Sequence, residues 1–484
     1  MSAILTSLEK IDSAFSPLWI VKLAIVGFCL THLYRLDAPP NGYHQWRESD
    51  TAAITLNYYQ EDMNFLHPRV NQRGDSDGIT GMEFPLYNYV AALMYHVTGP
   101  SHAAHRVLTL LAAGVSLWIM FLIGRQMYDP WIGAIACWAL AWSPLFFFYG
   151  HKIMPDIWML TFMLISCFAF LKWRNAGSMW WLAASSLALL LSATIKPLGL
   201  AVLFPFAYYT HSYRNRKSFF IASIAAVLVV VLAFAWYQYG RFVNSLYNSP
   251  GFDLGDSLGQ FPEQLFSALF FKKLFLQWPW ELWIGWALAP LCIAGFYVAF
   301  QLKDKALWLW VCGAYLAFAV TSSHSSSHDY YTLPILAPIC LFAGLGGWHL
   351  WRRYAAVRWI LVTIGLVAPL VTMVRISHRI DEVSEFESIR EESNALIPRD
   401  ALVVVQESTT AIRLYQLNRH GFVIRNRQSI SSASEGLGRG AIFLITERQY
   451  DDIDDSLPAF HFRPPQRIGP LYCYELIIDS SNKL

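Results

Sequence analysis

Long apolar stretches alternate with short polar connections from residue 18 to residue 375. A helix needs about 20 mostly apolar residues to cross the hydrocarbon core of a bilayer, so stretches of this length with few charges predict transmembrane helices. By this criterion the chain has about eleven of them, near residues 18–36, 104–123, 131–149, 157–171, 179–195, 197–211, 218–239, 281–301, 306–322, 330–350 and 358–375. The fifth and sixth are separated only by Lys196-Pro197, which predicts a tight hairpin between two short helices.

The pattern changes after Arg375 to that of a water-soluble domain. Short apolar or alternating runs bounded by polar residues predict strands. We expect strands at 401–406, 422–425, 441–446 and 472–478, and helices at 409–418 and 429–435. Strands alternating with helices favour a small α/β unit with a parallel sheet. The predicted fold is therefore a polytopic α-helical membrane module, residues 1–375, followed by an α/β domain, residues 376–484.

Composition supports insertion into a membrane. Of the 484 residues, 55% are hydrophobic and only 14% are charged, against about 25% charged in soluble proteins. The net charge of +2 is too small to indicate a nucleic-acid partner. The seven cysteines lie almost all in apolar runs and form no Cys-x-x-Cys pair, which indicates small buried side chains rather than disulfides or a zinc site.

The distribution of Lys and Arg predicts the orientation. With the amino terminus in the cytoplasm, every short cytoplasmic connection is basic, containing Arg125; Lys172 and Arg174; Arg214, Arg216 and Lys217; Lys303 and Lys305; and Arg352, Arg353 and Arg358. The positive-inside rule favours this orientation. The long first loop and the region after Arg375 then lie outside, in the periplasm of a bacterial inner membrane. The first apolar run lacks a signal-peptide cleavage site, so we expect it to be a retained helix.

The segment 37–101 is a long polar insertion between two predicted transmembrane helices. Most such connections are only a few residues long, so this insertion indicates a functional site. Its charged residues include Arg47, Glu48, Asp50 and Glu83. The stretch from Trp46 to Tyr59 predicts a helix on which Asp50 and Glu48 point in different directions, so the two acids have different roles. The alternative is an amphipathic helix on the membrane surface with solvated carboxylates.

Further polar residues are expected at the outer ends of the predicted helices. They are Arg106, Asp156, Lys196, His324, His328, Tyr330 and Tyr331. Ordinary structural explanations exist for most: Asp156 and Glu83 as helix caps, Lys196 as a snorkelling side chain, and the tyrosines as interfacial aromatics. His324 and His328 are four residues apart and are candidates for sharing a metal ion on a helix, but the intervening serines favour a loop.

The order of these motifs resembles that in a known family. The motifs are Arg47-Glu48-Ser49-Asp50 ahead of a helix, Glu83-Phe84-Pro85-Leu86-Tyr87, Met154-Pro155-Asp156, Lys196-Pro197, and His328-Asp329-Tyr330-Tyr331-Thr332-Leu333-Pro334. Over roughly residues 15–375 the chain resembles the C superfamily (GT-C) of glycosyltransferases. The likeness is greatest to the dolichyl-phosphate-mannose-protein mannosyltransferase-like family 39, which includes bacterial lipid A aminoarabinose and rhizobial galacturonosyl transferases.

The resemblance implies an integral membrane enzyme that moves a sugar from a polyprenyl phosphate lipid to an acceptor on the outer face, with inversion at the anomeric carbon. The acceptor is a lipid, a glycan or a protein. Many members have an Asp-Glu pair where this chain has Arg47-Glu48-Ser49-Asp50, and we predict Asp50 as the base with Glu48 as the substitute. Some members use a divalent metal ion and others do not, so a metal ion is optional and no other cofactor is expected.

Such a transfer needs a carboxylate to accept the acceptor's proton and to stabilise an oxocarbenium-like sugar, a role for Asp50 or Glu48, with Asp156 beside them. It also needs cations on the departing phosphate. The candidate cations are Lys196, Arg47 and Arg106, and the further substrate contacts are Glu83, Tyr330 and Tyr331.

Two other classes compete with this interpretation. A transporter or flippase for a lipid-linked glycan or small solute predicts internal repeats and charged residues within the bilayer, whereas here the acids lie outside the predicted helices. A non-catalytic sensor that uses the terminal domain as a binding module predicts that Asp50 and Lys196 are dispensable. Placement alone suggests that the terminal domain recognises the acceptor.

Overall fold

A computed structural model describes residues 16–211, 216–247, 266–303, 305–379, 385–407, 412–425, 428–450 and 453–477. The chain divides into two compact units. The first comprises Met1–Leu36, Val107–Tyr237 and Asp253–His378, and the second comprises Asp37–Arg106, Gln238–Phe252 and Arg379–Leu484. The second unit differs from the predicted domain division, because it contains the first polar loop together with the C-terminal region.

Helices form most of the described chain. In chain order they are α1 (Pro17–His32), α2 (Gln45–Gln60), α3 (Leu86–Thr98), α4 (His102–Met127), α5 (Pro130–Ala141), α6 (Pro144–Tyr149), α7 (Asp156–Ala176), α8 (Met179–Ile195), α9 (Leu203–His211), α10 (Arg216–Tyr247), α11 (Ala268–Phe271), α12 (Gly285–Leu302), α13 (Ala306–Val320), α14 (Ser322–Ser325), α15 (Leu336–Arg353), α16 (Arg358–Ser377), α17 (Phe386–Leu396), α18 (Ile412–Leu417), α19 (Ala433–Gly438) and α20 (Ile453–Ser456). Short 3₁₀ segments lie at Pro197–Val202, Asp329–Ile335, Ala355–Val357 and Ile430–Ser432, and π-helical segments at Lys272–Gln277 and Pro279–Trp283.

Each predicted apolar stretch overlaps a helix of the first unit. Six helices in the described residues are long and apolar enough to cross a membrane: His102–Met127, Asp156–Ala176, Arg216–Tyr247, Gly285–Leu302, Asp329–Arg353 and Ala355–Ser377. Shorter apolar helices are Pro17–His32, Pro130–Ala141, Met179–Ile195 and Ala306–Val320. The protein is therefore a multi-pass membrane protein with a mainly helical membrane unit.

Prolines account for the two places where a predicted stretch is interrupted. The stretch 131–149 forms two helices, because α5 ends at Ala141 and Pro144 begins α6. Proline lacks a backbone N–H, so it fits the first turn of a helix and not its interior. The interruption predicted at Lys196-Pro197 is confirmed: α8 ends at Ile195, and Pro197 opens a 3₁₀ segment that leads into α9.

Close backbone contact joins α12 and α15 within the first unit. A Cβ atom on Gly295 of α12 would lie 1.8 Å from the carbonyl oxygen of Phe342 in α15. A Cβ atom on Gly346 would lie 1.9 Å from the carbonyl oxygen of Leu291. Small residues let membrane helices approach this closely, so larger side chains at these two glycines would separate the helices.

The C-terminal part of the second unit contains a five-stranded sheet of order β2-β1-β3-β5-β4. Its strands are β1 (Leu402–Glu407), β2 (His420–Arg425), β3 (Phe443–Thr446), β4 (Gln466–Ile468) and β5 (Leu471–Glu475). Strand β1 pairs in parallel with β2 and β3, whereas β5 is antiparallel to β3 and β4. Residues 409–411 and 478 of the predicted elements lie outside the described residues.

The prediction of a wholly parallel sheet is thus wrong at one edge. Strands β4 and β5 are joined by only Gly469 and Pro470, and Gly469 has a φ of 54°. A connection of two residues can join only antiparallel strands. Strand β4 was not predicted, because its three residues are too short to show a period.

The first loop extends this sheet at its β2 edge. Gln72 of the loop forms a parallel bridge with Gly421 of β2. The Gly421 N–H donates to the carbonyl oxygen of Asn71 at 3.1 Å, and the Gly74 N–H donates to that of Gly421 at 2.9 Å. The exposed edge of a sheet offers unpaired backbone groups, and here the loop pairs with them. This pairing explains why the loop and the C-terminal region form one unit.

Candidate active site

The helix predicted from Trp46 to Tyr59 is confirmed as α2, Gln45–Gln60. It begins after His44, which has the left-handed backbone angles φ 66° and ψ 26°. Glu48 lies in its first turn, where a negative charge interacts favourably with the helix dipole. Most residues from Arg47 to Tyr58 are buried, including Glu48. A surface helix with solvated carboxylates therefore does not fit this segment.

Arg47 links two acids of the second unit. Its Nη1 atom lies 3.4 Å from Oδ2 of Asp50, and its Nη2 atom donates to Oε1 of Glu83. The Arg47 side chain is buried, whereas 14% of the Asp50 side chain is exposed. Arg47 therefore holds Asp50 through one longer contact while its other arm is occupied by Glu83.

Glu48 points away from Asp50 and has another cation. Nη1 of Arg106 lies 3.3 Å from Oε1 of Glu48, and both side chains are buried. Arg106 also donates to the carbonyl oxygen of Ala38 at 2.8 Å and to that of Pro39 at 3.4 Å. Separate directions for Glu48 and Asp50 were predicted, and the structure confirms them. Arg106 binds its own carboxylate, and its role as a phosphate ligand stays a prediction.

Burial raises the pKa of the Asp50 carboxyl above its ordinary value, and the charge of Arg47 offsets part of this effect. A general base is most effective when its pKa lies near the working pH. The environment of Asp50 shifts its pKa in that direction. In this cluster three carboxyl groups, those of Glu48, Asp50 and Glu83, accompany the two guanidinium groups of Arg47 and Arg106.

A second cluster lies in the first unit and contains a lysine. Lys196 follows the last residue of α8, and its Nζ atom donates to Oδ1 of Asp156, the first residue of α7. Both side chains are buried, and the N-cap of α7 has no side-chain hydrogen bond. Snorkelling of Lys196 and capping by Asp156 therefore describe these residues poorly. Oδ2 of Asp156 is buried and has no hydrogen-bond partner in the part of the chain that the structure describes.

Two tyrosines cover the ammonium group of Lys196. Its Nζ atom lies 4.1 Å from the ring centroid of Tyr330 and 4.8 Å from that of Tyr331. Both rings belong to the 3₁₀ segment Asp329–Ile335. Aromatic faces attract a cation within about 6 Å, so the predicted site residues Lys196, Tyr330 and Tyr331 form one group with Asp156.

Two hydrogen-bonded pairs next to this group, Tyr149 with Asp329 and Trp283 with Thr332, were not predicted from the sequence. The hydroxyl of Tyr149 donates to Oδ1 of Asp329, and both side chains are buried. The indole Nε1 of Trp283 donates to Oγ1 of Thr332 at 2.9 Å. Asp329 stands inside the motif that predicted Tyr330 and Tyr331, so its position was visible, but the partner Tyr149 lies 180 positions earlier.

The predicted metal pair has only partial structural support. The rings of His324 and His328 are 6.1 Å apart between centroids, and His324 lies in the one-turn helix α14. Each ring packs on Tyr331. Burial and the charge of Lys196 lower the pKa of His324. Across the described residues, no group of three or more His, Cys, Asp or Glu side chains is arranged to hold a metal ion. A metal ion shared by His324 and His328 stays a prediction.

Several solved structures share the fold of this chain. An apo structure of ArnT from Cupriavidus metallidurans matches with a TM-score of 0.64 at 13% identity, covering 93% of this chain and 97% of that one. The oligosaccharyltransferase AglB from Archaeoglobus fulgidus matches with 0.59 at 12% identity, over 90% of this chain and 69% of that one. The arabinofuranosyltransferase AftD from Mycobacteria matches with 0.56 at 14% identity, over 95% of this chain and 42% of that one.

The chain therefore shares its fold with ArnT, AglB and AftD. Residues 83–237 match the family described as dolichyl-phosphate-mannose-protein mannosyltransferase. These two findings confirm the resemblance predicted from the ordered motifs. No curated protein sequence matches the chain.

Proposed function

We propose that this protein is an inverting glycosyltransferase that moves a sugar from a polyprenyl phosphate lipid to a cell-envelope acceptor. The proposal depends mainly on the environment of the Asp50 side chain in a chain with this fold. Its carboxylate is partly exposed, is held by Arg47 and has a raised pKa. These are the properties of a side chain that accepts a proton.

In the proposed reaction Asp50 takes the proton from the acceptor hydroxyl. The acceptor oxygen then forms a bond to the anomeric carbon as the bond from that carbon to the phosphate oxygen breaks. The electron pair of the broken bond leaves with the polyprenyl phosphate. Attack on the face opposite the phosphate inverts the configuration, and a carboxylate near the sugar stabilises its oxocarbenium-like charge.

Lys196 binds the phosphate of the lipid in this proposal. A cation stabilises the charge that develops on the leaving oxygen, and its effect is largest where water is excluded. Burial, aromatic cover and a neighbouring carboxylate hold the Lys196 ammonium in a fixed place. Tyr330 and Tyr331 then have a second role, since their hydroxyls are suited to contact phosphate or sugar.

Glu48 has a structural role in this proposal. Its carboxylate is fully buried and faces the guanidinium of Arg106. A fully buried carboxylate that is paired with a guanidinium has no open path to an acceptor. It balances the charge of Arg106, which in turn holds the carbonyl groups of Ala38 and Pro39.

The donor class follows from the relatives. A second ArnT structure contains undecaprenyl phosphate, and one AglB structure contains dolichol phosphate. Both lipids are polyprenyl phosphates, which supports a donor of this class for the present chain. The apolar helices provide the membrane environment that such a lipid requires.

The number of transmembrane helices and the orientation of the chain in the membrane are also part of this proposal. About eleven transmembrane helices are proposed, namely the six long apolar helices together with the shorter ones that overlap the other predicted stretches. In this proposal the protein lies in a bacterial inner membrane, with its amino terminus in the cytoplasm and its C-terminal α/β region in the periplasm. The distribution of Lys and Arg supports this orientation. The alternative of a transporter or flippase is not favoured by the fold or the family match.

The test is sugar transfer by the purified full-length protein in detergent. Radiolabelled donors from a panel of polyprenyl phosphate sugars are offered with envelope extracts as acceptor, to wild type, Asp50→Asn and Glu48→Gln. Transfer from one donor that is lost in Asp50→Asn supports both the enzyme and its base. Loss only in Glu48→Gln moves the base to Glu48. No transfer from any donor, together with lipid translocation in liposomes that neither substitution changes, would favour the flippase.

A further inference from the structure

Helix α2 carries Asp50 near its beginning and Asn57 near its end. The Asn57 side chain is buried and donates from Nδ2 to Oδ1 of Asn71 at 2.8 Å. The same amide donates to the carbonyl oxygen of Arg69 at 2.9 Å. The end of the acid-bearing helix is therefore fixed to the loop segment that follows it.

Asn71 continues this connection to the C-terminal part of the second unit. Its Nδ2 atom donates to the carbonyl oxygen of Leu414 in α18 at 3.4 Å. Its carbonyl oxygen accepts the N–H of Gly421 in β2 at 3.1 Å. Leu414 is fully buried in a core that includes Val403 and Val405 of β1. We call the connected groups of Asn57, Asn71, Leu414 and Gly421 the amide bridge.

The amide bridge is buried, and this makes its hydrogen bonds specific. An amide without partners in a buried place costs about 1–3 kcal/mol, so other orientations of Asn57 and Asn71 are disfavoured. Hydrogen bonds of this kind are directional, whereas apolar packing tolerates small displacements. The bridge therefore determines where the end of α2 lies relative to the sheet.

We propose that Asn71 is a positioning residue that holds Asp50 in its working place by tying α2 to the sheet of the C-terminal region. The proposal rests on the proposed function, and it gives the C-terminal region a role in catalysis in addition to any recognition of an acceptor. Asn71 acts through α2 and does not contact the reacting atoms. The sheet serves as the rigid support, and the amide bridge is the link.

A positioning role predicts a particular kinetic pattern. A displacement of about 1 Å in a catalytic group can lower a rate about 100-fold. Asn71→Ala removes both side-chain hydrogen bonds, so kcat should fall by roughly 10-fold to 100-fold. The KM for the donor lipid should stay within about two-fold. The substitution loosens α2, which carries the base Asp50, whereas the donor phosphate is assigned to Lys196, which is not on this helix. Loosening α2 also admits water to Asp50 and lowers its pKa, so the acid limb of the pH profile should move to lower pH.

The experiment measures transfer, thermal unfolding and hydrogen exchange on the full-length protein in detergent. The variants are Asn71→Ala, Asn57→Ala, the double variant and Asn64→Ala. Asn64 is an exposed asparagine of the same loop whose side chain bonds only to nearby residues, so it is the matched control. Rates are divided by the fraction of folded protein. Asn57→Ala also serves if Asn71→Ala does not fold, since it breaks the same contact from the helix side and leaves the backbone bond to Gly421.

The expected result is a fall in kcat in both single variants with little change in the donor KM, and a shift in the acid limb of the pH profile. The loss in the double variant should be smaller than the product of the two single losses, since the two side chains share one contact. Transfer within two-fold of wild type in Asn71→Ala and Asn57→Ala would overturn the proposal. So would an equal loss in Asn64→Ala, or a loss that only follows the folded fraction with an unmoved pH profile.

Transfer by the wild-type protein distinguishes failure of the proposed function from failure of the positioning role of Asn71. If wild type transfers sugar from no donor, the glycosyltransferase assignment fails and the amide bridge is tested by hydrogen exchange alone. Faster exchange of the α2 amides in Asn71→Ala than in Asn64→Ala supports the link, and equal exchange in the two variants rejects it.

Discussion

The two clusters of predicted site residues use opposite electrostatic arrangements. In the second unit, three carboxylates share two guanidinium groups, and Asp50 keeps partial exposure. In the first unit, one ammonium group lies between a carboxylate and two aromatic rings. An excess of carboxylates suits the acceptance of a proton, while a fixed cation suits an anionic leaving group. On the proposed function, the two clusters therefore act in different steps: proton acceptance near Asp50 and departure of the phosphate near Lys196.

Within the cluster of the second unit, the two acids of α2 also differ in their surroundings. Glu48 is fully buried beside Arg106, whereas Asp50 shares Arg47 with Glu83 and remains partly exposed. The sequence places the two acids only two positions apart. Their partners, and not their chemical type, separate a structural acid from a candidate base.

The largest effect is expected for Asp50→Asn. The amide has the size of the acid but cannot accept a proton, so kcat should fall by about 10³-fold, within the range typical of a lost general base. Binding of the donor lipid should be retained, as measured by isothermal titration. Asp62→Asn is the matched control, because Asp62 is a more exposed acid just beyond the end of α2. Similar losses in the two variants would contradict the assignment of Asp50.

Lys196→Met should lower kcat/KM by about 100-fold, because one phosphate-binding cation is removed from a dry site. Methionine keeps most of the apolar length of the side chain. The pH at which transfer is half-maximal on its acid side should not move, because the base is unchanged. Lys272→Met removes an exposed lysine of the same unit and should leave transfer unaltered. If this pH changed in Lys196→Met, the group around Lys196 would take part in proton transfer. The two clusters would then no longer have separate roles.

Glu48→Gln should act on stability more than on chemistry. It leaves the buried guanidinium of Arg106 without its carboxylate, and such losses typically cost about 3 kcal/mol. The unfolding temperature in detergent should therefore drop, while transfer per folded molecule stays within about ten-fold of wild type. Asp50→Asn provides the comparison, since it should change transfer with little change in the unfolding temperature. An unchanged unfolding temperature in Glu48→Gln would show that the ion pair with Arg106 is dispensable.

The smallest effect is a shift along the pH axis in Arg47→Gln. Burial raises the pKa of Asp50 and Arg47 lowers it, so removing the guanidinium raises this pKa further. The active form of a base is deprotonated, and the acid limb of the rate profile should therefore move to higher pH. Arg73→Gln removes an arginine paired with Glu61 in the same loop and is expected to leave the limb in place. If the acid limb moved to lower pH in Arg47→Gln, this would contradict the prediction that Arg47 lowers the pKa of Asp50.

Much of the fold was predictable because its signals are local. Apolar length predicted the membrane helices, and the polar helix-forming run from Trp46 to Tyr59 predicted α2 within one residue at each end. The break at Pro144 was visible in Ser143-Pro144, but the run of aromatic residues after it maintained the apolar pattern. Strand β4 is too short for any period to show.

The partners in the site were not predictable, because they come from distant parts of the chain. Arg106 lies 58 positions after Glu48, and Glu83 lies 36 positions after Arg47. Composition and spacing identified each of these residues as a candidate without indicating the pairs. Asn57 and Asn71 gave no signal, since an asparagine in a polar helix or a polar loop is ordinary. Only the fold shows that both amides are buried.

The pairing of the first loop with strand β2 also sets an order in biosynthesis. Asn71 and its partner Leu414 are 343 positions apart. A ribosome adds about 5–20 residues per second, so the loop waits many seconds for the strand and helix that complete it. Until then α2 lacks this support, and on the proposed function an unfinished chain is expected to transfer sugar more slowly than the complete protein.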